Sequence, residues 1–480
     1  MGHPLNRRQF LGTTAAAGAV LAGEMGRGAA AADEDKAKPW PPKAGPVKIH
    51  KVYSGTSGGA WPGPKFDARA EIARYEKLLA DAERKLDGVT FVGGQQVKNA
   101  RESARLAADL GDADAVLVFD LNFDGGQRAA PLVKAGLPTA IFVYPFSGHQ
   151  WMYYSQWQSA GKKLLVLPTS DYAQIERAGR LLAVPGRMRR TRVLVVGGPR
   201  GTKAACTPDE VKKRLGCEVV VIPNKEVITA HKAVDIKAAE AEAKDYWITK
   251  AEKIVEPPKA DIVNSARLYL AMKALMTRHG AVATTSCHCM GAPAKCCLTY
   301  SKLNDEGLVG ACEGDIDSTL TMLVFQYAFG VPGFISDPLF DFAKKGVVHA
   351  HCTSTTKLDG PGGRRAPFVI RTQCDTNRGV SLEVRMRVGQ EITCAKICNA
   401  ETMLISTGKI TEIPDYYDRG CRTQITTEVP DARQMFANWG GKVLPNAMMT
   451  LLHRVVFYGN RLQGITDLSR LMGFKVVEEG

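Results

Sequence analysis

Residues 115–120 read Ala-Val-Leu-Val-Phe-Asp, an apolar run of strand length that ends on an acid. Similar apolar runs lie at 47–53, 89–93, 139–145 and 163–168. They are separated by amphipathic stretches near 67–86, 98–110, 126–135 and 172–182. Short apolar runs that alternate with amphipathic helices are typical of a parallel sheet covered on both faces. The pattern predicts that residues 47–188 form an open α/β sandwich.

A second round of the same pattern follows. Strands are predicted at 192–196, 218–222 and 281–286, with helices near 208–215, 226–252 and 261–278. After about residue 339 the pattern changes to short β-rich segments that are separated by glycine turns. These segments lie at 367–371, 379–388, 391–395 and 403–409. The fold class is therefore α/β, with two open α/β-sandwich domains (47–188 and 189–338) before a mostly antiparallel β domain (339–480) that ends in a helix near 464–473.

Composition limits the class of protein further. The 480 residues are 23% charged and 45% hydrophobic, which fits two to four globular domains and excludes disordered and collagen-like chains. The formal net charge of +14 could suggest a polyanionic partner. The basic residues, however, are scattered, with local concentrations at 187–192 and 362–365, and neither zinc-finger spacing nor an RNA-recognition signature accompanies them. We expect a solvated basic surface and no nucleic-acid partner.

The N-terminus resembles a twin-arginine export signal. Asn6-Arg7-Arg8-Gln9-Phe10-Leu11 precedes a mildly apolar run and the small residues 29–32. The apolar run is too short for a membrane anchor. We therefore predict a signal at 1–32, a Pro-rich linker at 33–46, export by the Tat translocase to the periplasm or another extracytoplasmic location, and no stable membrane insertion after processing. Without the signal's three arginines and one glutamate the chain keeps a net charge of +12.

All twelve cysteines lie between Cys206 and Cys421. The densest group, Cys287-His288-Cys289 with Cys296-Cys297, does not have the C-x2–4-C spacing that zinc sites usually show. A chain of this length can bury a sizeable core without cross-links. Buried thiols, or one or two disulfides, are favoured over a zinc cluster.

Two glycine-rich segments follow predicted strands. Residues 55–59 match the G-x-S-x-G pattern of a serine nucleophile at Ser57, but Pro62 and Pro64 follow closely and disfavour the immediate helix that such a nucleophile needs. A loop at the carboxyl edge of the sheet is the favoured interpretation, and an exported serine hydrolase stays an alternative. Residues 197–201 lack the order of a dinucleotide or phosphate loop and are interpreted as a turn.

Segment 307–338 contains two acids beside apolar sequence. A helix is predicted after Asp315 or Asp317, either of which can cap it, and Gly330 with Pro332 ends it. Glu313 precedes this helix, and Asp337 follows the apolar stretch 331–335. Burying a carboxylate there is costly unless it is paired or bound to a cation.

Three histidines lie in apolar segments downstream of these acids. His349 and His351 alternate in the strand-like run 347–352, and His453 lies in the apolar run 451–456. A single histidine of this kind is usually a hydrogen-bonded core residue. Two such histidines downstream of two acids make a carboxylate and imidazole metal site a hypothesis worth considering.

The order and context of these residues resemble the L-fucose isomerase/L-arabinose isomerase superfamily, especially its L-fucose isomerase-like branch. The resemblance rests on Cys312-Glu313-Gly314-Asp315 before a helix, Ser336-Asp337-Pro338 after it, His351-Cys352, and His453 ahead of Tyr458-Gly459. It is strong over about 286–473. Over 47–285 only the pattern of two α/β domains agrees.

The resemblance implies a divalent cation, Mn²⁺ above all, held by Glu313, Asp337 and His453, with His351 as a further ligand or a substrate contact. Fucose-type enzymes use two acids and one histidine, and arabinose-type enzymes use two glutamates and two histidines. This chain combines an aspartate at the second acid with His351, so the fourth ligand and the sugar stay open. A homo-oligomer is also implied by the resemblance.

These expectations lead to an exported, metal-dependent aldose–ketose isomerase, or an epimerase, that acts on a small carbohydrate through an ene-diol. Glu313 and Asp337 would serve as metal ligands and as the acid/base pair. The alternatives are a non-catalytic periplasmic sugar-binding protein, because two α/β domains around a cleft also suit that role, and the hydrolase that uses Ser57.

Overall fold

A computed structural model describes residues 40–59, 61–415, 419–439 and 452–480. The predicted signal at 1–32 and the first part of the predicted linker lie outside the described residues. Within those ranges, no helix combines the length and the apolar character needed to cross a membrane.

The first unit is a five-stranded parallel sheet in the order β2-β1-β3-β4-β5. Its strands are β1 (Val47–Ser54), β2 (Val89–Val97), β3 (Ala115–Asp120), β4 (Thr139–Val143) and β5 (Leu164–Pro168). Its helices are α1 (Ala68–Lys85), α2 (Ala100–Ala108), α3 (Ala129–Lys134), α4 (Trp151–Ser159) and α5 (Ala173–Arg189). Every residue of β3 and β4 is buried, as expected for central strands covered on both faces.

The second unit is a four-stranded parallel sheet in the order β10-β9-β6-β7. Its strands are β6 (Arg192–Val196), β7 (Glu218–Ile222), β9 (Ala283–Ser286) and β10 (Val309–Ala311), while β8 (Lys253–Ile254) lies outside this sheet. Its helices are α6 (Pro208–Leu215), α7 (Asn224–Ala233), α8 (Ile236–Glu242), α9 (Lys259–His279), α10 (Cys297–Asp305) and α11 (Ile316–Phe329).

The helix predicted over 226–252 is interrupted. Val234 takes an extended backbone between α7 and α8, and the Asp235 carboxylate accepts from the amides of Lys237 and Ala238. Aspartate side chains compete for backbone donors and favour the first position of a helix over its interior. A new helix therefore begins at this point, and it continues into a π-helical turn at Ala243–Ile248.

The last unit is an antiparallel barrel, which confirms the predicted fold class. Its strands are β11 (Phe334–Asp341), β12 (Gly346–His351), β15 (Glu391–Cys398), β16 (Thr402–Glu412), β17 (Thr423–Glu428) and β18 (Arg454–Tyr458). They pair in the order β15-β18-β11-β12-β17-β16, and pairing of β15 with β16 closes the ring. Strand β11 crosses the predicted boundary between 338 and 339, so Asp337 belongs to the barrel.

The other elements of this unit cover the barrel or extend it. They are β13 (Phe368–Gln373), β14 (Arg378–Val384), α12 (Ala432–Ala437), α13 (Leu462–Met472) and β19 (Lys475–Glu478). Strands β13 and β14 form a small separate sheet with β8, and β19 extends the barrel beside β16. Helix α13 lies where the helical tail was predicted.

The arginine-rich run 187–192 is largely paired with acids. Arg189 and Arg190 each donate to Asp114 Oδ1 at 2.8 Å, and Arg192 bonds Glu218 at 3.0 Å. Much of the strongest local positive charge in the sequence is therefore compensated within the fold.

Candidate metal centre

Glu313 lies in the short connection between β10 and α11. Its backbone has a positive φ of 62°, and Gly314 follows with φ 75°. A Cβ on Gly314 would lie 3.2 Å from the Gly198 carbonyl oxygen, and it would also be in the left-handed region that disfavours side chains. Left-handed backbone at a residue such as Glu313 costs about 1–3 kcal/mol and is concentrated at functional sites. The turn directs the Glu313 carboxylate toward the barrel.

The connection is fixed by the turn that follows β6. The Arg200 amide donates to the Gly314 carbonyl at 2.7 Å, and the Ile316 amide donates to the Arg200 carbonyl at 2.9 Å. The Asp317 carboxylate accepts from the Thr202 amide and from its hydroxyl, both at 2.6 Å. The segment interpreted as a simple turn from its sequence therefore holds the Glu313 loop in place.

Three neighbouring barrel strands supply the other predicted residues. Asp337 lies on β11 opposite Ala350, and His351 ends β12. His453 directly precedes β18, whose first residue pairs with Ser336. Because β11 lies between β12 and β18, Asp337 comes beside His453 on one side and beside Ala350, the residue before His351, on the other.

Three of the four side chains converge, and the fourth, Asp337, lies beside His453. Glu313 Oε1 lies 3.9 Å from His351 Nε2, and Glu313 Oε2 lies 3.8 Å from His453 Nε2. Asp337 Oδ1 lies 3.4 Å from His453 Nε2. One ligand atom from each of Glu313, His351 and His453 falls within 4.8 Å of the others. The Glu313 and Asp337 side chains keep 12% and 21% exposure, so the carboxylates are the accessible part of the cluster.

The imidazoles carry buried nitrogens that need a partner. Among the described residues, both ring nitrogens of His351 and the Nε2 atom of His453 lack a hydrogen-bond partner. Burying such an atom without a partner is costly, so these nitrogens require a partner other than a protein atom, either water or a bound ion. Carboxylate oxygens and imidazole nitrogens suit a divalent cation such as Mn²⁺ or Fe²⁺. Glu313, His351 and His453 thus form a buried group that could hold a metal ion, with Asp337 beside it.

The far side of His453 is held by a buried ion network. Asp315 Oδ2 lies 2.9 Å from His453 Nδ1 and 3.0 Å from Lys396 Nζ, and all three side chains are at most 1% exposed. Since an ionised carboxylate can only accept, Nδ1 carries the proton and Nε2 is directed toward Glu313 and Asp337. Burial raises the pKa of Asp315, but Lys396 and His453 outweigh that effect and hold it below its usual value.

We expect Asp315→Asn to weaken Mn²⁺ binding by about 10–100-fold, because the substitution removes the group that orients His453. Burial lowers the pKa of His453, but Asp315, Asp337 and Glu313 together raise it. A metal must displace the proton from Nε2, so apparent affinity falls by about tenfold per pH unit below that pKa. Without the Asp315 charge the pKa of His453 is lower, so in the variant the fall in Mn²⁺ affinity begins at a lower pH. Isothermal titration between pH 5 and 8 measures both effects, and unchanged affinity and pH dependence would contradict the role of Asp315.

His349 is not part of this cluster. Its Nδ1 lies 2.9 Å from the Ser336 hydroxyl and its Nε2 lies 3.1 Å from the Thr427 hydroxyl. Burial, reinforced by the Arg454 charge, lowers the pKa of His349 to about 3. This histidine is therefore a neutral, hydrogen-bonded core residue.

Ser57 has a local structural contact. It lies in the loop between β1 and α1, and its hydroxyl accepts from the Ala68 amide at 3.0 Å at the start of the helix. In the described part of the chain, no imidazole or carboxylate hydrogen-bonds to this hydroxyl. The contact is that of a residue that supports a helix N-terminus.

Lys396 was not identified from the sequence, although a signal was present. It lies in β15, where every residue after Glu391 is buried, and a lysine among buried strand residues requires a counter-charge. Its acidic partner is 81 positions away, so local spacing could not supply it.

Comparison with known proteins assigns neither a family nor a function to this site. No protein-family model matches the chain, and no curated protein matches it.

Proposed function

We propose that the protein is a divalent-metal-dependent aldose–ketose isomerase of the L-fucose/L-arabinose isomerase type, with Mn²⁺ as its metal. The observation that carries the proposal is the convergence of Glu313, His351 and His453 from two separate units of the fold, with Asp337 3.4 Å from His453. The resemblance in residue order points to the same four positions. A bound Mn²⁺ would supply Lewis-acid polarisation of the sugar carbonyl.

The carboxylates would perform the proton transfers. Isomerisation through an ene-diol moves one proton from C2 to C1 and another between O2 and O1. Glu313 and Asp337 both lie near His453 Nε2, at 3.8 and 3.4 Å, so two proton carriers would be within reach of one small substrate bound there. One carboxylate takes the C2 proton and returns it to C1, and the other transfers the hydroxyl proton. Positioned acid/base groups contribute roughly 10²–10⁴-fold to such a reaction.

Asp315, paired with Lys396, would hold the proton of His453 on Nδ1 and fix the orientation of the ring. Neither residue reaches the solvent, so their role is positional. We further propose that the protein acts on a small carbohydrate outside the cytoplasm, after export by the twin-arginine route, and as a homo-oligomer.

Solvent deuterium exchange tests the proposal. The purified chain is incubated in D₂O with a panel of aldoses, and the C2 hydrogen is followed by proton NMR. We expect exchange with at least one sugar when Mn²⁺ is present, loss of exchange after chelation, and recovery on adding Mn²⁺. Sugar binding without exchange would favour a non-catalytic binding protein. Metal-independent labelling of Ser57 by a fluorophosphonate would favour a hydrolase.

A further inference from the structure

Three cysteines that are distant in sequence meet at one end of the barrel. Cys352 directly follows β12, Cys374 directly follows β13, and Cys421 lies two positions before the first residue of β17. Cys352 and Cys421 are buried, and Cys374 is partly exposed. We call these residues the thiol cluster. All twelve cysteines of the chain are free thiols in this structure. The three members of the thiol cluster come together although their spacing in the sequence matches no metal-binding motif.

The sulfur atoms are spaced more like metal ligands than like a disulfide. Cys352 Sγ lies 3.4 Å from Cys374 Sγ, and Cys374 Sγ lies 3.2 Å from Cys421 Sγ. All three fall within 4.8 Å of one another. Two thiolates on one tetrahedral zinc lie about 3.8 Å apart, because the Zn–S bond is about 2.3 Å. A disulfide needs about 2.05 Å. Metal binding therefore requires the smaller rearrangement, about half an ångström against more than one.

The thiol cluster differs chemically from the candidate metal centre although the two are adjacent. Cys352 packs with Ala350 and Cys421, whereas His351 turns toward Glu313. Alternate residues of a strand point to opposite faces, so one strand end serves both groups. Carboxylates and imidazoles suit harder divalent ions, while thiolates select soft cations such as Zn²⁺ or Cu⁺. The two neighbouring sites could therefore select different metal ions.

We propose that the thiol cluster binds one thiophilic closed-shell cation, represented by Zn²⁺, through Cys352, Cys374 and Cys421. Binding releases the three thiol protons to solvent and involves no redox step. Asp375 Oδ1 lies 3.2 Å from Cys374 Sγ at the partly exposed member of the cluster, so this oxygen or a water molecule would complete the coordination. The ion would tie β12, the end of β13 and the start of β17 together.

Cobalt serves as a spectroscopic probe of the site. The reduced, full-length protein is titrated with Co²⁺, and thiolate-to-cobalt charge-transfer absorption is recorded before Zn²⁺ is added. We expect one equivalent of Co²⁺ to produce this absorption and Zn²⁺ to abolish it. Cys374→Ser, at the least buried of the three positions, should weaken cobalt binding at least 100-fold.

Two controls separate this site from other possibilities. Cys206→Ser, a partly buried cysteine before α6, should retain the full absorption. Glu313→Gln should also retain it, so failure of the isomerase proposal leaves this result unaffected. The proposal is overturned if no charge-transfer band forms, or if Cys374→Ser retains it. It is also overturned if the denatured, unreduced protein has two thiols fewer than twelve and the missing pair maps to the cluster.

Discussion

Glu313→Gln is expected to remove stoichiometric Mn²⁺ from the purified protein. It should also lower the rate of deuterium exchange at C2 of the sugar by at least about 10²–10⁴-fold. Glu313 is the only carboxylate among the described residues that lies within 4 Å of both His351 and His453. Glutamine preserves the shape but removes the anion, so both the cation and a proton carrier are lost. The effect should exceed the ~10–100-fold expected when an outer, orienting residue is lost.

Metal content by mass spectrometry after dialysis and the initial rate of deuterium incorporation measure this prediction. The matched control is Glu240→Gln, the same chemical change at an exposed position on α8. It should retain the metal and the exchange rate. If Glu313→Gln behaves like Glu240→Gln, the candidate centre does not bind the metal through Glu313.

Local patterns in the sequence were sufficient for the fold class. Apolar runs such as 115–120 must be covered on both faces, so they predict central parallel strands wherever amphipathic helices alternate with them. The break at Asp235 shows where the same reasoning failed. A capping side chain interrupts a helix without disturbing its hydrophobic periodicity, so the periodicity over 226–252 does not register the end of α7.

The site could be predicted only in part. The cost of burying acids and imidazoles without a partner makes Glu313, Asp337 and the histidines in apolar segments candidates, but it is the family resemblance that implies Glu313, Asp337 and His453 as ligands. Two further groups hold the site in place: Lys396, and the turn after β6 that contains Arg200. Lys396 pairs with Asp315, and Arg200 bonds the loop of Glu313, in both cases across more than 80 positions of the chain. Such pairings depend on how the second unit docks against the barrel. Hydrophobic periodicity carries no information about that docking.

Glu479→Gln is expected to destabilise the protein by about 3–5 kcal/mol, because it removes one partner of a fully buried ion pair. Arg454 Nη2 lies 2.6 Å from Glu479 Oε1 and Arg454 Nε lies 2.9 Å from Glu479 Oε2, and neither side chain is exposed. The buried Arg454 guanidinium would lose the carboxylate that it now contacts through two nitrogens. This loss is a large fraction of the ~5–15 kcal/mol typical of a folded domain. Equilibrium unfolding in urea, followed by circular dichroism, measures it.

The matched control is Glu218→Gln, in a pair with Arg192 whose side chains are both half exposed. Exposed pairs contribute about 0–1 kcal/mol, so this variant should be almost as stable as the parent. The double variant Arg454→Met/Glu479→Leu should regain much of the stability, since an apolar pair leaves no buried charge. Equal stability of Glu479→Gln and Glu218→Gln would contradict the prediction.

Arg454 of this ion pair also contacts a residue of the candidate metal centre. Arg454 Nη1 donates to the His453 carbonyl at 2.9 Å, and His453 has a positive φ of 61°. The guanidinium therefore helps to hold the backbone conformation that directs Nε2 at Glu313 and Asp337. We expect Glu479→Gln to weaken Mn²⁺ binding even at low temperature, where the fold persists. The apolar double variant should recover stability but not full metal affinity, because no donor remains for the His453 carbonyl. Full recovery of both would show that the pair stabilises the barrel without positioning the ligand.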